Sequence, residues 1–282
     1  MRWKKRLREL QARALAVIRT GPNSVLWTND GMRGGNLLYY WLHAFAETTA
    51  GRPTRVLYQV TMDPWLRMFP ALEDLTIDQH QLGLRDRRRA FWDPDVRPSA
   101  ASGTLGSFIE KTILSSPSFT DRLHQWSSFL DTSTAVLNIR RGDYLDARYF
   151  EEYAMHVPDY FGQAERVLSE HSDSQIALFV SDDISWCHSH KGELTTLTFA
   201  EAAPDRFDMF DDLAALAATG IVVLSNSTFA YWGGLIGDLL SPDRLVVAPR
   251  FHSRLPNGYL EWPHPQHWVL VDNRFHSDVK SP

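Results

Sequence analysis

The chain reads Thr134-Ala135-Val136-Leu137-Asn138-Ile139-Arg140-Arg141-Gly142-Asp143-Tyr144 near its middle. The apolar residues at the start of this stretch predict a strand, and the polar residues that follow it predict a loop at the strand end. Arginine offers a planar, permanently charged fork for phosphate oxygens, and glycine lets the backbone approach a ligand closely. The loop therefore predicts a site for a phosphate-bearing ligand such as a sugar nucleotide. A surface turn with a local Arg–Asp pair is the alternative interpretation.

Strands and helices alternate on both sides of this stretch. Alternation at this spacing predicts an α/β fold with a parallel sheet that helices cover on both faces. Gly220 follows one of the helices and predicts a helix end in the left-handed conformation. The predicted strands are 134–139, 175–181, 221–225 and 244–248, and the predicted helices are 158–171, 208–219 and a third from 227 or 228 to 240.

The first part of the chain predicts a second α/β unit. A strand over 24–27, a glycine-rich turn over 28–35, a helix over 36–50 and a strand over 54–60 form a βαβ pattern. The glycine spacing in the turn does not match the dinucleotide fingerprint, so it does not indicate a nicotinamide site there. With 282 residues, the chain exceeds the usual size of one domain. We expect an acceptor-side domain over 1–130 and a nucleotide-sugar domain over 131–282.

Composition restricts the partners of the protein. The 34 acidic and 29 basic residues give a formal net charge of −5, which argues against nucleic-acid binding. The only cysteine is Cys187, so no disulfide forms within the chain, and a cytoplasmic location is expected. No apolar run reaches the roughly 20 residues that span a bilayer. The basic N-terminus, residues 1–18, predicts a cationic surface helix, and weak peripheral attachment to an anionic membrane is the alternative.

Polar clusters follow three of the predicted strands, at residues 138–144, 181–183 and 225–228. Parallel strands end at one edge of their sheet, where open α/β folds bind ligands, so we expect the clusters to lie together. Arg140 and Arg141 suit a diphosphate. Asp182 or Asp183 suits the N1–H and amine of guanine, or caps the following helix. Residues 227 and 228 begin a helix, whose free N–H groups favour an anion as well as a cap.

These clusters resemble the motifs of the inverting α-1,2-fucosyltransferases that use GDP-fucose. The family's His-x-Arg-Arg-Gly-Asp-Tyr is similar to residues 138–144, where Asn138 replaces the histidine. Its Ser-Asp-Asp-Ile-x-Trp-Cys resembles residues 181–187, and its Asn-Ser-Thr-Phe-Ser-Trp-Trp-Gly resembles residues 226–233. The family's N-terminal Gly-x-Leu-Gly-Asn-Gln loop is echoed weakly over residues 31–40, where Gly34-Gly35-Asn36 replaces Gly-Asn-Gln.

The resemblance implies a GT-B-like pair of Rossmann-like domains and transfer of fucose from GDP-fucose to a glycan hydroxyl with inversion. It implies that no metal or other cofactor takes part. Arg140 would contact the donor diphosphate and act in catalysis together with Asp143. The remaining donor-binding residues expected from the motifs are Asn138, Arg141, Asp182, Asp183, Asn226, Ser227, Thr228, Gly34, Gly35 and Asn36.

The sequence leaves two questions open. The general base for the acceptor hydroxyl is Asp143, Asp30 or His43, and Asp143 instead orients an arginine in the alternative interpretation. Two other classes of protein also remain, namely a catalytically silent binder of nucleotides or glycans and a nicotinamide-dependent reductase. The reductase lacks its glycine fingerprint in this chain.

Overall fold

A computed structural model describes residues 17–28, 32–90, 103–131, 133–200 and 204–278. The chain forms two compact units that divide between Ser116 and Pro117. Each unit is built on a parallel sheet with helices, so the predicted α/β class is confirmed. The predicted N-terminal helix falls almost wholly on residues 1–16, outside the described residues. Within the described residues, none of the helices combines the length and apolarity that a membrane span requires.

The first unit contains a four-stranded parallel sheet in the order β3-β2-β1-β4. Its helix α1 is buried along Leu37, Leu38 and Trp41, and it packs against β2. The predicted strand 54–60 ends earlier, at Leu57, because a 3-10 turn begins at Val60. The elements of this unit are β1 (Ser24–Trp27), α1 (Gly35–Thr49), β2 (Thr54–Leu57), α2 (Asp63–Met68), β3 (Thr76–Ile77), β4 (Arg87–Ala90) and α3 (Gly103–Phe108), which continues as a π-helix (Ile109–Ile113).

The second unit contains a six-stranded parallel sheet in the order β12-β9-β8-β5-β6-β7. The chain runs from β5 outward to β7, then returns to β8 on the other side of β5. This reversal creates the crevice at which open α/β sheets bind ligands. The elements are α4 (Pro117–Phe129), β5 (Thr134–Ile139), α5 (Phe150–Tyr153), α6 (Val157–His171), β6 (Ile176–Ser181), α7 (Ile184–Ser189), α8 (Lys191–Leu194), β7 (Thr198–Phe199), α9 (Met209–Ala218), β8 (Ile221–Val223), α10 (Thr228–Leu240), β9 (Leu245–Pro249), β10 (Phe251–Leu255), β11 (Gly258–Glu261) and β12 (Val269–Val271).

Strand β5 is the centre of the core, and all six of its residues are buried. On one face of the strand, Leu137 packs with Phe161 of α6 and Phe179 of β6 in one apolar cluster. Val136 points to the opposite face of the sheet and is also buried, and α9 contacts the strand there. Each fully buried side chain of this size contributes roughly 1.5–3 kcal/mol to folding. Burial on both faces fixes the strand ends, and with them the position of the loops that follow.

Helix α4 belongs to the second unit, whereas the sequence indicated a division near residue 130. The helix packs on α9, and its Phe119 and Trp126 are buried. Arg122 also pairs with Asp208 at 2.6 Å and with Asp211 at 2.9 Å, at the start of α9. Because these contacts hold α4 against the second core, the boundary lies before this helix.

The end of α9 differs from the expectation at Gly220. A positive φ is found only at Gly34, Gly51 and Gly258 within the described chain, so Gly220 makes no left-handed cap. Instead, the buried guanidinium of Arg244 donates to the carbonyls of Leu216 and Ala217, each at 3.0 Å. A side chain from the β9 region therefore satisfies the last carbonyls of the helix, which leaves no need for a left-handed glycine.

The chain after β9 is more regular than its prolines indicated. Strands β10 and β11 form an antiparallel hairpin, and β12 joins the edge of the main sheet beside β9. His264 lies in this region among aromatic rings, with ring centroids 5.1 Å from Tyr231 and 5.4 Å from Trp268. One ring nitrogen of His264 lies 3.1 Å from the carbonyl oxygen of Pro249. Burial lowers the pKa of this imidazole from 6.5 to about 4, against the opposing effect of that hydrogen bond.

The depressed pKa of His264 predicts a loss of stability in mild acid. The unfolded chain binds a proton near pH 6.5 and the folded chain only near pH 4, so acidification between these values favours unfolding. Through His264, acidification from pH 7 to pH 5 should cost the wild type about 2 kcal/mol of unfolding free energy. We expect His264→Gln to abolish this loss, as measured by urea unfolding at both pH values. The exposed His124→Gln should keep the wild-type pH dependence. An unchanged pH dependence in the His264 variant would contradict the assignment.

Candidate nucleotide-sugar site

Arg140 lies at the end of β5 between two carboxylates. Its Nη1 is 2.7 Å from Oδ2 of Asp182, which follows β6, and its Nη2 is 2.6 Å from Oδ1 of Asp143. Its guanidinium carbon lies 5.5 Å from the ring centroid of Tyr144. Burial disfavours the charge of Arg140, but the two carboxylates outweigh it and raise the pKa of the guanidinium. Arg140 is therefore held in one place, and its side chain remains 35% exposed to a ligand.

Asp182 joins the ends of β5 and β6. Its Oδ1 accepts the backbone N–H of Arg141 at 2.9 Å, while Oδ2 pairs with Arg140. Gly142 makes this approach feasible, because a Cβ at that position would collide with Oδ2 of Asp182. The glycine of the motif thus leaves space for a carboxylate of the neighbouring loop, whereas the sequence indicated space for the ligand itself.

The side chain of Arg141 contacts helix α7 and the residue that precedes it. Its guanidinium carbon lies 3.8 Å from the ring centroid of Trp186, and its Nε is 3.1 Å from Oδ2 of Asp183. The other oxygen of Asp183 accepts the backbone N–H of Trp186 at 3.1 Å, so the predicted cap on this helix is confirmed. Stacking and pairing together leave the Arg141 side chain 18% exposed. Its predicted contact with the diphosphate and that of Asp183 with guanine stay predictions.

Asn138 is buried and connects three strands. Its amide nitrogen donates to the carbonyl of Val180 in β6 at 3.1 Å. Its amide oxygen accepts the hydroxyl of Ser225, just after β8, at 2.6 Å. An imidazole, the side chain of the related motif, has a different set of donors and acceptors. In this chain residue 138 fixes the crevice between β5 and β8, and its contact with a donor stays a prediction.

The third motif loop starts helix α10 at the other side of the crevice. Ser227 and Thr228 are buried, and Ser227 occupies the N-cap position, although no side-chain cap is found there among the described residues. Tyr144 crosses the crevice, and its hydroxyl donates to the carbonyl of Asn226 at 3.3 Å. Burial raises the pKa of Tyr144 well above its ordinary range. The loops after β5 and β8 therefore meet through this phenol.

The side chain of Asn226 holds the loop between β8 and α10 in place through hydrogen bonds. Its amide nitrogen donates to the carbonyls of Tyr153 at 3.0 Å and His252 at 2.9 Å. Its amide oxygen is buried and has no hydrogen-bond partner in the described part of the chain. These bonds attach the start of α10 to α5 and to the β10–β11 hairpin.

The formal charge at the strand ends differs from the expected cationic pocket. Arg140 and Arg141 are matched by Asp143, Asp182 and Asp183, which leaves a net charge of −1 for the five side chains. Carboxylate partners cancel the charge of the two arginines, so the arginines of the motif do not by themselves make the site positively charged. Asp143 lies in the same loop as Arg140, and such a local Arg–Asp pair was the alternative interpretation. Asp182 and Asp183 come from a loop about forty residues further along the chain, so the sequence alone does not reveal their pairing.

Arg206 was not expected near the site. Its Nη2 donates to the carbonyl of Ser181 at 3.2 Å, and its guanidinium pairs with Asp212 of α9. Burial raises the pKa of Asp212 from 3.8 to about 6, against the attraction of Arg206. The residue lies in a loop without regular pattern, which explains why no sequence signal pointed to it. It anchors the end of β6, from which Asp182 projects.

The glycine loop belongs to the first unit. Gly34 has φ 55° and precedes α1, a backbone conformation that other residues rarely adopt, and Gly35 begins the helix. Asn36 follows in its first turn, and its buried amide oxygen has no hydrogen-bond partner among described residues. Their role at the donor stays a prediction. Of the base candidates here, His43 is buried in α1, and Asp30 lies outside the described residues.

Metal-binding side chains are not grouped in the described parts of the chain, since no three of His, Cys, Asp and Glu lie in a suitable arrangement there. The carboxylates after β5 and β6 are engaged by arginine instead. The arrangement at the β5–β8 crevice is therefore an arginine held by carboxylates, beside the start of a 13-residue helix. Such a site suits the binding of an anion.

Comparisons with known proteins match part of the sequence. The sequence model described as Glycosyl transferase family 11 matches residues 127–239. The alpha-1,2-colitosyltransferase of Escherichia coli is 24% identical over 146 residues, which cover 50% of this chain and 48% of that protein. The chain thus spans about half the length of this curated relative.

Two solved structures show a distant likeness. POFUT1 in complex with GDP has a TM-score of 0.45 and 12% identity, over 81% of this chain and 99% of that chain. POFUT1 in complex with GDP-fucose has a TM-score of 0.43 and 11% identity, over 90% of this chain and 99% of that chain. The family match includes β5, β6, β8 and the loops that follow them. Over residues 127–239, the chain is therefore similar to glycosyl transferase family 11.

Proposed function

We propose that this protein transfers fucose from GDP-fucose to a hydroxyl of a glycan, with inversion at the anomeric carbon and formation of an α-1,2 linkage. The observation that carries the proposal is the guanidinium of Arg140 at the crevice between β5 and β8, oriented by Asp182 and still accessible. The match of this region to glycosyl transferase family 11 supports the reaction class. The α-1,2 linkage rests on the motif resemblance and on the name of the curated relative.

Arg140 would act on the leaving group. As the bond between the sugar and the diphosphate stretches, negative charge grows on the β-phosphate. A guanidinium held by fixed partners stabilises that charge without having to reorganise during the reaction. The start of α10, with Ser227 and Thr228, would receive the diphosphate from the other side of the crevice. A contact between an anion and a helix N-terminus contributes about 0.3–1 kcal/mol when exposed and up to about 2 kcal/mol when partly buried, so Arg140 should dominate.

The remaining roles follow from the contacts. Asp143 is engaged with Arg140 at 2.6 Å, which favours the orienting role over that of a general base. Both oxygens of Asp182 are engaged, by Arg140 and by the backbone N–H of Arg141. Asp183 would therefore be the carboxylate that binds guanine, through the oxygen that now pairs with Arg141. Under this scheme the candidates for the acceptor base are His43 and Asp30.

A panel of nucleotide sugars tests the proposal. The protein would be incubated with GDP-fucose, GDP-mannose, UDP-galactose and a galactoside acceptor, and the products read by mass. We expect product only from GDP-fucose, equal in amount with and without EDTA because no metal takes part in the proposed reaction. Transfer from a UDP-sugar alone would contradict the donor assignment, and loss of turnover in EDTA would contradict metal independence.

A colitosyl donor is the second candidate, because the curated relative is named as a colitosyltransferase. The same assay with a GDP-linked colitosyl donor separates the two sugars. Preferential transfer of colitose would assign the donor sugar differently but keep the leaving diphosphate and the role of Arg140. Binding of GDP without turnover of any donor would instead identify a silent nucleotide-binding protein.

A further inference from the structure

The two carboxylate partners of Arg140 differ in how firmly they are held. Asp182 makes two contacts, to Nη1 of Arg140 at 2.7 Å and to the backbone N–H of Arg141 at 2.9 Å. Its side chain is 25% exposed, and the missing Cβ of Gly142 leaves the space that its oxygen occupies. Movement of this carboxylate would break both contacts at once. Asp182 is therefore the fixed partner.

Asp143 is the loose partner. Its side chain is 48% exposed and lies on a 3-10 turn (Gly142–Leu145). Nη2 of Arg140, at 2.6 Å, is its only side-chain hydrogen-bond partner within the described residues. An ion pair this exposed is weak, since water competes for both groups and rotation of the side chain is inexpensive. Asp143 can therefore leave Arg140 without disturbing any other bond of the loop.

A phosphate group and a carboxylate present the same kind of oxygen to a guanidinium. Resting on the proposed binding of a GDP-sugar, we infer that Asp143 occupies the place of a donor phosphate oxygen on Arg140 and is displaced when the donor binds. In the same inference, Asp182 is a positioning residue that keeps the guanidinium oriented throughout. The two aspartates touch the same side chain at nearly the same distance, yet they have opposite effects on donor affinity.

The charges of the site give the reason for this division. With both carboxylates in contact, Arg140 is more than neutralised, so an arriving diphosphate meets repulsion along with attraction. Rotation of Asp143 into water moves one negative charge away and frees Nη2 for the phosphate. Rotation of Asp182 would free Nη1 but would also release the backbone of Arg141, which fixes the loop.

Calorimetric titration with GDP tests the inference on three variants of nearly equal size. We expect Asp143→Asn to bind GDP roughly two- to five-fold more tightly, because it replaces an exposed ionic competitor by a neutral one. We expect Asp182→Asn to bind at least about ten-fold more weakly, because its amide NH2 group would oppose a donor in either orientation, namely Nη1 of Arg140 or the backbone N–H of Arg141. Asp146→Asn removes one exposed charge from the same loop and should change affinity less than Asp143→Asn does.

A fourth variant separates positioning from folding. Gly142→Ala keeps every charge but places a methyl group where Oδ2 of Asp182 lies, so it should weaken GDP binding as Asp182→Asn does. Thermal melts of all variants verify that the proteins are folded. Weaker binding of GDP by Asp143→Asn, or a change equal to that of Asp146→Asn, would overturn the inference.

The same titrations distinguish a failure of the proposed function from a failure of the inference on Asp143. If Arg140→Ala binds GDP as well as the wild type, Arg140 does not hold the diphosphate, and both the proposed site and the inference fall. If Arg140→Ala binds weakly while Asp143→Asn also binds weakly, the nucleotide site stands and only the displacement of Asp143 is excluded. Guanosine, which lacks phosphates, should bind the wild type and Asp143→Asn equally.

Discussion

Replacement of Arg140 by alanine is expected to lower kcat/KM for the donor by two to three orders of magnitude, about 2.7–4 kcal/mol of transition-state stabilisation. The loss has two physical sources. The leaving phosphate loses its cation, and Asp182 and Asp143 remain beside it without a positive partner. Steady-state turnover with varied donor concentration measures the effect.

Two matched variants make this result specific. Arg140→Lys keeps the charge but loses the planar fork, so it should recover only part of the activity. Arg166→Ala removes an exposed arginine from α6 and should leave kcat/KM within two-fold, on the order of surface effects. Turnover of Arg140→Ala within a factor of three of the wild type would exclude the proposed role, provided that its melting temperature is unchanged.

Replacement of Arg244 by methionine is expected to cost about 3–5 kcal/mol of unfolding free energy. The side chain is fully buried, and its Nε lies 3.6 Å from Oδ1 of Asp238. Burial lowers the pKa of the guanidinium to about 10, against the attraction of Asp238. Removal of the cation takes the charged partner from Oδ1 of Asp238, whose Oδ2 keeps its hydrogen bond from Trp268. It also leaves the carbonyls of Leu216 and Ala217 without their donor. Urea unfolding at pH 7 measures the loss.

Two controls accompany this measurement. Arg166→Met, on the exposed surface of α6, should change stability by less than about 0.5 kcal/mol. The double variant Arg244→Met with Asp238→Asn should lose less than the sum of the two single variants, because the stranded charge has been removed. A loss below about 1 kcal/mol for Arg244→Met would show that the buried pair is not required.

The second unit was largely predictable from the sequence. The apolar runs of β5, β6, β8 and β9 are buried on both faces, so their signal is strong, and the predicted bounds agree with the observed bounds within two residues. Helix α10 begins at Thr228 and ends at Leu240, as its cap and periodicity indicated. The hairpin β10–β11 and strand β12 were missed because short strands interrupted by proline carry little periodicity.

The chemistry of the strand ends was only partly predictable. The parallel sheet brings the three motif loops to one edge, as expected from their positions after strands. Asp143 is a local partner of Arg140, but Asp182 and Asp183 reach the two arginines through the pairing of β5 with β6, which brings residues about forty positions apart into contact. Local sequence contains no record of such pairs. For the same reason, the bonds of the Asn138 amide to Val180 and Ser225 could not be predicted from the local sequence.

The amide of Asn138 has a consequence for the order of refolding. It bonds a carbonyl 42 residues away and a hydroxyl 87 residues away. Closure of such long loops comes late in folding, since their entropy must be lost before the contacts form. We therefore expect refolding protein to bind GDP only once β8 has docked, which should come after the fluorescence change that reports formation of the local helices. Stopped-flow capture of a fluorescent guanine nucleotide would time that last step.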